Sequence, residues 1–587
     1  MARVRMRSFN RGLWLNVAAD AIPDGGARRA KNIDPVKSFS VRSRKGQTLV
    51  LAQIAKALYR FVDARYAHVG TELLRNGVAI TPLTVGPLDG EFGSFAAADR
   101  LKFANMQAGE AIKDFLFVAN GGDIFELNGV VGLPAQLAKI DSTGEASRWG
   151  ISNTRAGVVS GVGTTNHGAG ALAAGVYKYL PTFKNATTGQ ESNPAGADLE
   201  VTIDPADAPA DIQVQTTIPV DPQITHTVWY RTVTDGATKF KSGEVLLGAQ
   251  YTDVIPNESL GDELRFDNDH PLITFRDCVG PHAGRMWWSR IDTDGQRGRV
   301  IFSPIGRPES TGGGFLDLAS DDENIQRIIV WNGALWVFSE KWMYQVLGTD
   351  EPFRFREIQG APGTIAPESV VPTPFGLIWL AQDGLRIFDG AQSRLLGFDA
   401  LGRAFRGETL NGHAAFDAGE PQAVFVRNEY IISNQTLTYA LDLKTETWRE
   451  IGVGFNAFYW EPDTDKLLAA TAATVVVHED EGVFADAGVA IAFELETRHI
   501  LVDGGQTGFV QRVYLDADLA GQTLTPTLLL DGVAVAKTAV TNVARGNIEI
   551  PVGRQTREVG VRLTGNVTAQ VEVFGIELDV RPSALVK

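Results

Sequence analysis

Residues 328–348, IIVWNGALWVFSEKWMYQVLG, and residues 376–390, GLIWLAQDGLRIFDG, hold the pattern that decides the fold. In both stretches, runs rich in Ile, Leu, Val, Phe and Trp are interrupted by a short polar pair, Asn332-Gly333 in the first and Asp383-Gly384 in the second. Asn-Gly and Asp-Gly tolerate the positive φ of tight β-turns. Each stretch therefore predicts a β-hairpin.

The same unit recurs along the chain. Further hairpins are predicted in residues 285–303 (turn Asp294-Gly295), 423–443 (turn Arg427-Asn428-Glu429), 457–471 (turn Pro462-Asp463) and, upstream, in residues 58–77 and 115–129. One such unit every 40 to 50 residues or so is typical of the four-stranded blade of a β-propeller. We expect six or seven blades, in a ring closed by segments from both sides of an insertion.

The predicted fold class is all-β, with one short helix around Leu49–Leu58. Alternating strands around Trp229-Tyr230 predict an inserted fibronectin- or immunoglobulin-like sandwich, and similar strands with an Asp531-Gly532 hairpin predict a second sandwich at the C-terminus. The predicted domains are a basic arm (1–50), a first propeller segment (51–165), the inserted sandwich (166–270), the main propeller segment (271–488) and the C-terminal β-sandwich (489–587).

Length and composition narrow the class of protein. A chain of 587 residues is too long for one hydrophobic core, and 44% hydrophobic with 21% charged residues is typical of a folded, soluble protein. No apolar run has the length of a membrane-spanning helix, and the N-terminus lacks the apolar core of a secretory signal. We expect synthesis in a cytoplasm. The single Cys278 excludes an internal disulfide and a Cys-ligated zinc site.

Charge is distributed unevenly. Residues 1–60 contain 13 Lys and Arg against 3 Asp, a net of +10, so the overall net charge of −16 leaves −26 on residues 61–587. A basic terminal segment is either a solvated tail or an anchor on an acidic partner or on nucleic acid. We predict that Arg3, Arg5, Arg7 and Arg11 dock on a partner.

No motif for catalysis or metal binding emerges. The sequence lacks a nucleophile elbow and a phosphate-binding loop, and the Gly-rich residues 157–163 lack the required Lys. The acidic clusters at Asp292/Asp294, Asp321–Glu323 and Asp463/Asp465 fit turns and solvated loops better than calcium sites. Eight of the 11 Trp lie between residues 287 and 460, and we expect them to pack between blades rather than to line a groove. We therefore predict no cofactor, no metal and no enzymatic activity.

Several phrases resemble tailed-bacteriophage structural proteins. The N-terminus carries Asn10-Arg11-Gly12-Leu13, Pro23-Asp24-Gly25-Gly26-Ala27, Ala30-Lys31-Asn32 and Arg44-Lys45-Gly46, with Arg11 and Gly26 where Gly and Glu are usual in that pattern. Residues 303–310, SPIGRPES, and 363–371, GTIAPESVV, are similar to phrases of phage-tail propeller proteins. Residues 175–194, GVYKYLPTFKNATTGQESNP, are similar to their fibronectin-like domain.

Among these proteins the chain most resembles the tail nozzle, or hub, of short-tailed phages. The resemblance implies a virion location, a ring of six copies beneath the portal and adaptor proteins, attachment of fibres or receptor-binding proteins outside, and a central conduit for the genomic DNA. An acidic lumen would repel phosphate and let DNA pass. Two other functions remain open, a receptor-binding or fibre-like tail protein and a carbohydrate-active propeller enzyme.

Overall fold

The computed structural model describes most of the chain. The described residues are 2–6, 9, 11–35, 40–80, 101–108, 113–119, 138–143, 146–148, 151, 165–194, 196–219, 221, 223–269, 275–290, 297–320, 323–397, 399–410, 413–416, 420–502 and 507–582. The predicted turn at Asp294-Gly295, the acidic residues Asp292, Asp321 and Asp322, and Arg7 lie outside these ranges. So does the Gly-rich stretch 157–163.

Twenty-one strands are described between residues 2 and 253. They are β1 Ala2–Met6, β2 Gly12–Leu13, β3 Gly26–Lys31, β4 Ile33–Pro35, β5 Val41–Ser43, β6 Thr48–Leu51, β7 Ala57–Phe61, β8 Ala64–Val69, β9 Glu72–Arg75, β10 Val78–Ala79, β11 Lys102–Ala108, β12 Lys113–Ala119, β13 Ala138–Asp141, β14 Ala146–Arg148, β15 Thr165–Leu172, β16 Gly175–Lys184, β17 Leu199–Ile203, β18 Ala210–Val214, β19 His226–Thr232, β20 Lys239–Leu246 and β21 Tyr251–Asp253.

The remaining described strands follow residue 274. They are β22 Phe275–His282, β23 Arg285–Arg290, β24 Arg299–Phe302, β25 Gly314–Asp317, β26 Ile325–Trp331, β27 Ala334–Ser339, β28 Trp342–Leu347, β29 Arg354–Pro362, β30 Val371–Thr373, β31 Gly376–Ala381, β32 Gly384–Phe388, β33 Ser393–Leu395, β34 Gln422–Val426, β35 Glu429–Ser433, β36 Thr438–Asp442, β37 Thr447–Ile451, β38 Ala457–Glu461, β39 Lys466–Ala470, β40 Val475–His478, β41 Ala485–Asp486, β42 Val489–Thr497, β43 Ile500–Leu501, β44 Gly508–Asp518, β45 Thr523–Leu530, β46 Val533–Ala536, β47 Val540–Thr541, β48 Gly546–Thr556, β49 Glu558–Val567 and β50 Glu572–Pro582.

The all-β prediction is confirmed. The helical elements of the described residues are three single 3₁₀ turns, Asn257–Ser259, Pro367–Ser369 and Ala404–Arg406. The helix predicted at Leu49–Leu58 is wrong, because β6 and β7 occupy its two ends. The pairing of β6 with β40 overrides the local helix propensity of this Ala- and Leu-containing stretch. In the part of the chain covered by the structure, no helix is long and apolar enough to cross a membrane.

The chain divides into two compact units. The first comprises residues 1–60, 340–343 and 358–587, and the second comprises residues 61–339 and 344–357. The first unit therefore joins the two ends of the chain, whereas the second contains the predicted insertion.

In the first unit, the N-terminal strands belong to the C-terminal sandwich. One sheet has the order β4-β5-β50-β44-β48, with β1 also on β50, and the other links β3 to β42, β49, β45 and β46. The prediction of a separate basic arm over residues 1–50 is wrong, because β1 pairs with β50 from Ala2↔Val580 to Met6↔Ile576. Val4 and Met6 pack against the sandwich core, so apolar residues alternate with Arg3 and Arg5 along β1 as the period of a strand requires.

Among the described strands, seven groups of four have the up-and-down order that is typical of propeller blades. They are β7–β10, β11–β14, β22–β25, β26–β29, β30–β33, β34–β37 and the group β38-β39-β40-β6. In the last group, the fourth strand comes from the N-terminal segment, since β6 pairs with β40. The group β34–β37 continues into the sandwich sheet through a single parallel pair, Lys31↔Glu450.

The insertion, in the second unit, contains seven strands in two sheets. The sheet orders are β15-β18-β21 and β17-β16-β19-β20. One hydrophobic cluster, which includes Tyr177, Ile212 and Trp229, draws residues from both sheets. Beneath it, the buried Arg231 donates to Asp253 at 2.7 Å, and the hydroxyl of Tyr179 donates to the same carboxylate at 2.7 Å. The insertion thus has its own core and its own satisfied buried ion pair.

The hairpin turns show where the sequence prediction was accurate. Asn332-Gly333 and Asp531-Gly532 have positive φ at both residues and join strands paired on either side, as predicted. Arg427-Asn428 does the same without a glycine. At the predicted Asp383-Gly384 turn, Gly384 instead pairs with Ala381, so the loop is Gln382-Asp383. The turn predicted at Pro462-Asp463 is a four-residue loop between Glu461 and Lys466.

Candidate functional site

Asn32 holds three segments of the first unit together. Its backbone has a positive φ of 56°, which Asn tolerates better than most residues. Its side-chain oxygen accepts hydrogen bonds from Nε of Arg44 at 2.8 Å and from the amide of Gly452 at 2.6 Å. Its side-chain nitrogen donates to the carbonyl of Ala492 at 2.6 Å. One buried amide therefore joins the end of β3 to the residues just after β37 and to β42.

Arg44 is the second part of this junction and is fully buried. Its guanidinium donates to both carboxylate oxygens of Asp486, at 2.9 and 2.5 Å, and to the carbonyl of Lys45. Gly46 follows in close contact with the backbone of Ala485, and a Cβ atom at residue 46 would lie 2.2 Å from that carbonyl oxygen. Any residue other than glycine would push these two chain segments apart.

Next to it, Arg449 is surrounded by three carboxylates. Its guanidinium lies 2.9 Å from Asp34, 2.7 Å from Glu429 and 2.7 Å from Glu479. Burial raises the pKa of Asp34 to about 7, although Arg449 opposes this effect. Burial would also raise the pKa of Glu479, but Arg449 and His478 outweigh it and lower that pKa to about 2. The guanidinium of Arg449 thus forms ion pairs with three carboxyl groups. Because its pKa is raised, Asp34 is the carboxyl group that most readily keeps its proton. We call Asn32, Arg44, Asp486, Arg449 and its three carboxylates the polar junction.

The predicted docking arginines are described only in part. Arg3 pairs with Asp579 and Arg5 with Glu577 in the β1–β50 ladder, and the side chain of Arg5 forms an ion pair with Glu577 at 2.9 Å. Arg11 is exposed before β2, and its amide donates to the carbonyl of Gly25. Arg7 lies outside the described residues. Their role in docking remains a prediction.

The acidic residues that were considered as calcium ligands have other partners. Glu323 is buried and accepts hydrogen bonds from Ser339 Oγ at 2.7 Å and from the hydroxyl of Tyr344 at 2.9 Å. Asp463 lies 3.6 Å from Arg60, and Asp465 lies 3.2 Å from Arg427. Among the described residues, no group of three or more His, Cys, Asp or Glu side chains is arranged to hold a metal ion.

The tryptophans of the four-stranded groups are mainly core residues. The fully buried ones are Trp287, Trp288, Trp379 and Trp448. Trp287 packs within 4.9 Å of the ring centroids of both Phe302 and Phe353. Trp336 is also buried, Trp331 and Trp460 are half-buried, and Trp342 has 39% of its surface exposed. For the four fully buried tryptophans, packing in the core explains their positions better than an aromatic binding groove does.

An aromatic pocket was nevertheless missed by the sequence analysis. A cavity of about 450 Å³ in the first unit is lined by Trp14, Phe375 and the edge of Trp448, together with Asp389, Arg394 and Glu446. The pocket lies between the turn that follows β32 and the hairpin that joins β36 to β37. Trp14 comes from the N-terminal segment, about 360 residues before the nearest other aromatic of the lining. No local pattern could have indicated this proximity.

The lining side chains of this aromatic pocket are held by their neighbours. The indole N–H of Trp14 donates to the carbonyl of Arg11 at 2.9 Å. The ring of Phe375 stacks edge-on against Phe425 with centroids 6.5 Å apart. The amides of Gln392 and Ala391 donate to Oδ1 of Asp389 and lower its pKa.

One ion pair crosses the aromatic pocket. Arg394, at β33, lies 3.7 Å from Glu446, which has a positive φ in the β36–β37 hairpin. Both side chains are largely exposed. The pair therefore sets the spacing of two hairpins without closing the cavity.

Comparisons with known proteins leave the family open. No family model matches the chain, and no curated protein matches it. Among solved structures, the chain is similar to the computationally designed Ika8 protein, with a TM-score of 0.32, 11% identity and coverage of 74% of this chain and 100% of that one.

Two natural proteins are also similar in structure. The WD40 domain of Neurospora crassa Pan2 matches with a TM-score of 0.23 and 9% identity, covering 76% of this chain and 98% of that domain. PorZ, a surface component of the type-IX secretion system of Porphyromonas gingivalis, matches with a TM-score of 0.24 and 12% identity. The match covers 91% of this chain and 56% of PorZ. At such low scores, none of these likenesses carries an argument about function.

Proposed function

We propose that the chain is a non-enzymatic structural protein of a tailed bacteriophage tail, of the nozzle or hub type. The observation that carries this proposal is where the residues of the N-terminal phrase lie in the fold. Asn32 and Arg44, which belong to the N-terminal phrase, form the centre of the polar junction, and Gly46 of the same phrase lies beside it against the backbone of Ala485. The phrase therefore consists of residues that this architecture requires, rather than of interchangeable loop residues.

Residues 363–371, which are similar to another phrase of phage-tail propeller proteins, support the same argument. Ser369 is fully buried, its hydroxyl accepts the amide of Leu380 at 2.9 Å, and its carbonyl accepts the hydroxyl of Tyr430 at 2.8 Å. The hydroxyl of Thr364 lies within hydrogen-bond distance, 3.0 Å, of the carbonyl of Ala366 in the same loop and of the carbonyl of Leu380 in β31. A resemblance based on residues with such exacting environments is more informative about architecture than one based on surface residues.

In this proposal, the seven groups of four strands are the blades of one propeller, with β6 completing the last blade. The insertion is its fibronectin-like lobe. Six copies form a ring in the tail beneath the portal and adaptor proteins, and fibres or receptor-binding proteins attach outside. The excess of 26 negative charges on residues 61–587 favours a lumen through which DNA passes without binding.

The oligomeric state of the purified full-length protein tests this function. Size-exclusion chromatography with light scattering should give a mass near six times 63.4 kDa, and a particle map should place the chain below the portal. A trimer would favour the fibre-like function instead. A monomer that cleaves polysaccharide would favour the enzyme and would overturn the proposal.

We also infer that the arginines of the N-terminus contact the neighbouring tail or adaptor ring. Since Arg5 already pairs with Glu577, Arg11 is the better-placed candidate. Arg11→Ser should reduce incorporation into particles while the protein stays folded, because exposed basic residues mainly speed encounter with an acidic partner. If Arg11→Ser abolished binding to duplex DNA and left assembly unchanged, the contact would be with nucleic acid instead.

A further inference from the structure

The aromatic pocket between β32 and the β36–β37 hairpin has the chemistry of a ligand site. Its volume of about 450 Å³ lies within the range of small-molecule pockets. Trp14 is half-buried and Phe375 is 40% exposed, so both present apolar surface to the cavity. Both rings are fixed by neighbours, Trp14 through its bond to Arg11 and Phe375 through its stacking on Phe425. A ligand would thus meet aromatic surfaces that need little reordering.

The polar groups of the pocket include both donors and acceptors. Asp389, Asp399 and Glu446 supply acceptors, and the guanidinium of Arg394 and the amide of Gln392 supply donors. The amides of Ala391 and Gln392 both donate to Oδ1 of Asp389, and a carboxylate with two oxygens can accept further hydrogen bonds. Such a mixture suits hydroxyl groups, which donate and accept at once.

The charge of the lining argues against anionic ligands. Three carboxylates and one guanidinium give the lining a net charge of −2. This charge repels an anion, whereas the pairing of Arg394 with Glu446 offsets one of the negative charges that would attract a cation. A neutral molecule with an apolar face and several hydroxyl groups avoids the repulsion and uses both the aromatic and the polar groups, and a cationic ligand is the alternative that the experiment tests.

We propose that this pocket binds a neutral saccharide. The C–H face of a sugar ring lies against the aromatic surface of Trp14 or Phe375, where the negative face of the π-system attracts partly positive hydrogens. Hydroxyl groups of the sugar donate to Asp389 and Glu446 and accept from Arg394. This inference is independent of the proposed tail function, since it depends only on the side chains of the pocket.

A glycan array containing neutral, sialylated and sulfated glycans tests the proposal with the full-length protein. At least one neutral glycan should bind, and calorimetric titration with that glycan should give a dissociation constant that rises at least tenfold in Trp14→Ala and in Arg394→Ala. Trp342→Ala is the matched control, because Trp342 is another tryptophan of the first unit with solvent-accessible surface but lies outside the pocket. Its affinity should equal that of the parent protein.

Replacement variants and one further ligand ensure that the experiment can contradict the proposal. If Trp14→Ala does not fold, Arg394→Ala and Glu446→Gln, at largely exposed positions, take its place. Titration with hexalysine tests a cationic ligand. The proposal is overturned if no neutral glycan binds, if only sulfated or sialylated glycans or hexalysine bind, or if neutral glycans bind equally well to the pocket variants.

Discussion

A position that is buried, has a positive φ and needs both a donor and an acceptor admits very few residue types, and Asn32 is at such a position. Asn32→Ala would leave Nε of Arg44, the amide of Gly452 and the carbonyl of Ala492 without their partner. Each loss costs about 1–3 kcal/mol, so the junction should weaken by at least about 3 kcal/mol. Hydrogen exchange of peptides from β37 and β42 measures this loss directly.

The control for Asn32 is Asn428, which also has a positive φ but makes no comparable network. Asn428→Ala should cost about 1 kcal/mol, the strain of a left-handed conformation alone. Equal loss of protection in the two variants would show that the buried hydrogen bonds of Asn32 contribute nothing beyond backbone conformation.

Asp34 should make the stability of the polar junction depend on pH. Because burial raises its pKa from 3.8 to about 7, the unfolded chain releases this proton first, and the free energy of unfolding falls as the pH rises from about 4 to 7. Glu479, with its pKa lowered to about 2, acts in the opposite direction but only below about pH 4.5. Asp34→Asn should therefore match the parent near pH 4.5 and exceed it at pH 8 by about 1–4 kcal/mol.

Denaturant titrations at these two pH values measure the difference. The control is Asp389→Asn, because hydrogen bonds from backbone amides lower the pKa of that exposed carboxyl. It should give no gain at pH 8. A pH-independent effect of Asp34→Asn would contradict the assignment.

At the residue scale, the sequence predicted little of what holds the first unit together. The phrase containing Asn32 and Arg44 was recognised, but its physical role was not, because two of the three partners of the Asn32 side chain lie 420 and 460 residues away. Trp14 was missed for the same reason, since nothing near it in sequence indicates that it meets Trp448 in one cavity.

At the scale of elements, β1 should be needed for stability. Met6 and Phe9 are buried in the sandwich core, and each contributes about 1.5–3 kcal/mol on burial. Deleting residues 1–9 should therefore destabilise the first unit by several kcal/mol, which calorimetry would record as a lower unfolding temperature of one transition. Arg3→Ser with Arg5→Ser keeps the backbone ladder and serves as the control, with little change expected. An unchanged transition after the deletion would mean that β1 adds no stability.

Elements were predicted well where their signals are local. Hairpins at Asn332-Gly333 and Asp531-Gly532 followed from the two residues that form each turn. The helix predicted at Leu49–Leu58 was wrong because the signal is not local. Strand β6 is defined by its pairing with β40, more than 400 residues later. Propensity within a ten-residue window cannot contain that information.

At the scale of the whole molecule, the insertion should fold alone. The hydrophobic cluster of its two sheets draws only on residues between Leu172 and Tyr251. A fragment of residues 165–269 should show a cooperative thermal transition by near-UV circular dichroism. Trp229→Ala, which removes a fully buried side chain from this core, should destabilise the fragment by about 3–5 kcal/mol. A fragment without a cooperative transition would show that the insertion depends on its host.

At this scale the all-β class was accessible from the sequence, because strand and turn signals recur along the chain. The boundaries of the insertion were harder to predict. The segment after β21 hydrogen-bonds in two directions. The carbonyl of Asp262 accepts from the amide of Lys241 in the insertion, and the carboxylate of Asp267 accepts from Arg307 in the loop after β24. A segment with partners on both sides has no single boundary.

The pairing of Ala2 with Val580 has a consequence for synthesis of the chain on the ribosome. Strand β1 cannot complete its ladder until translation has continued from Ala2 to Val580. At roughly 5–20 residues per second, that interval is on the order of half a minute to two minutes. Throughout it, β1 and the residues just after it expose unpaired backbone and the apolar side chains of Met6 and Phe9, so we expect chaperones that hold unfolded chains to bind this segment.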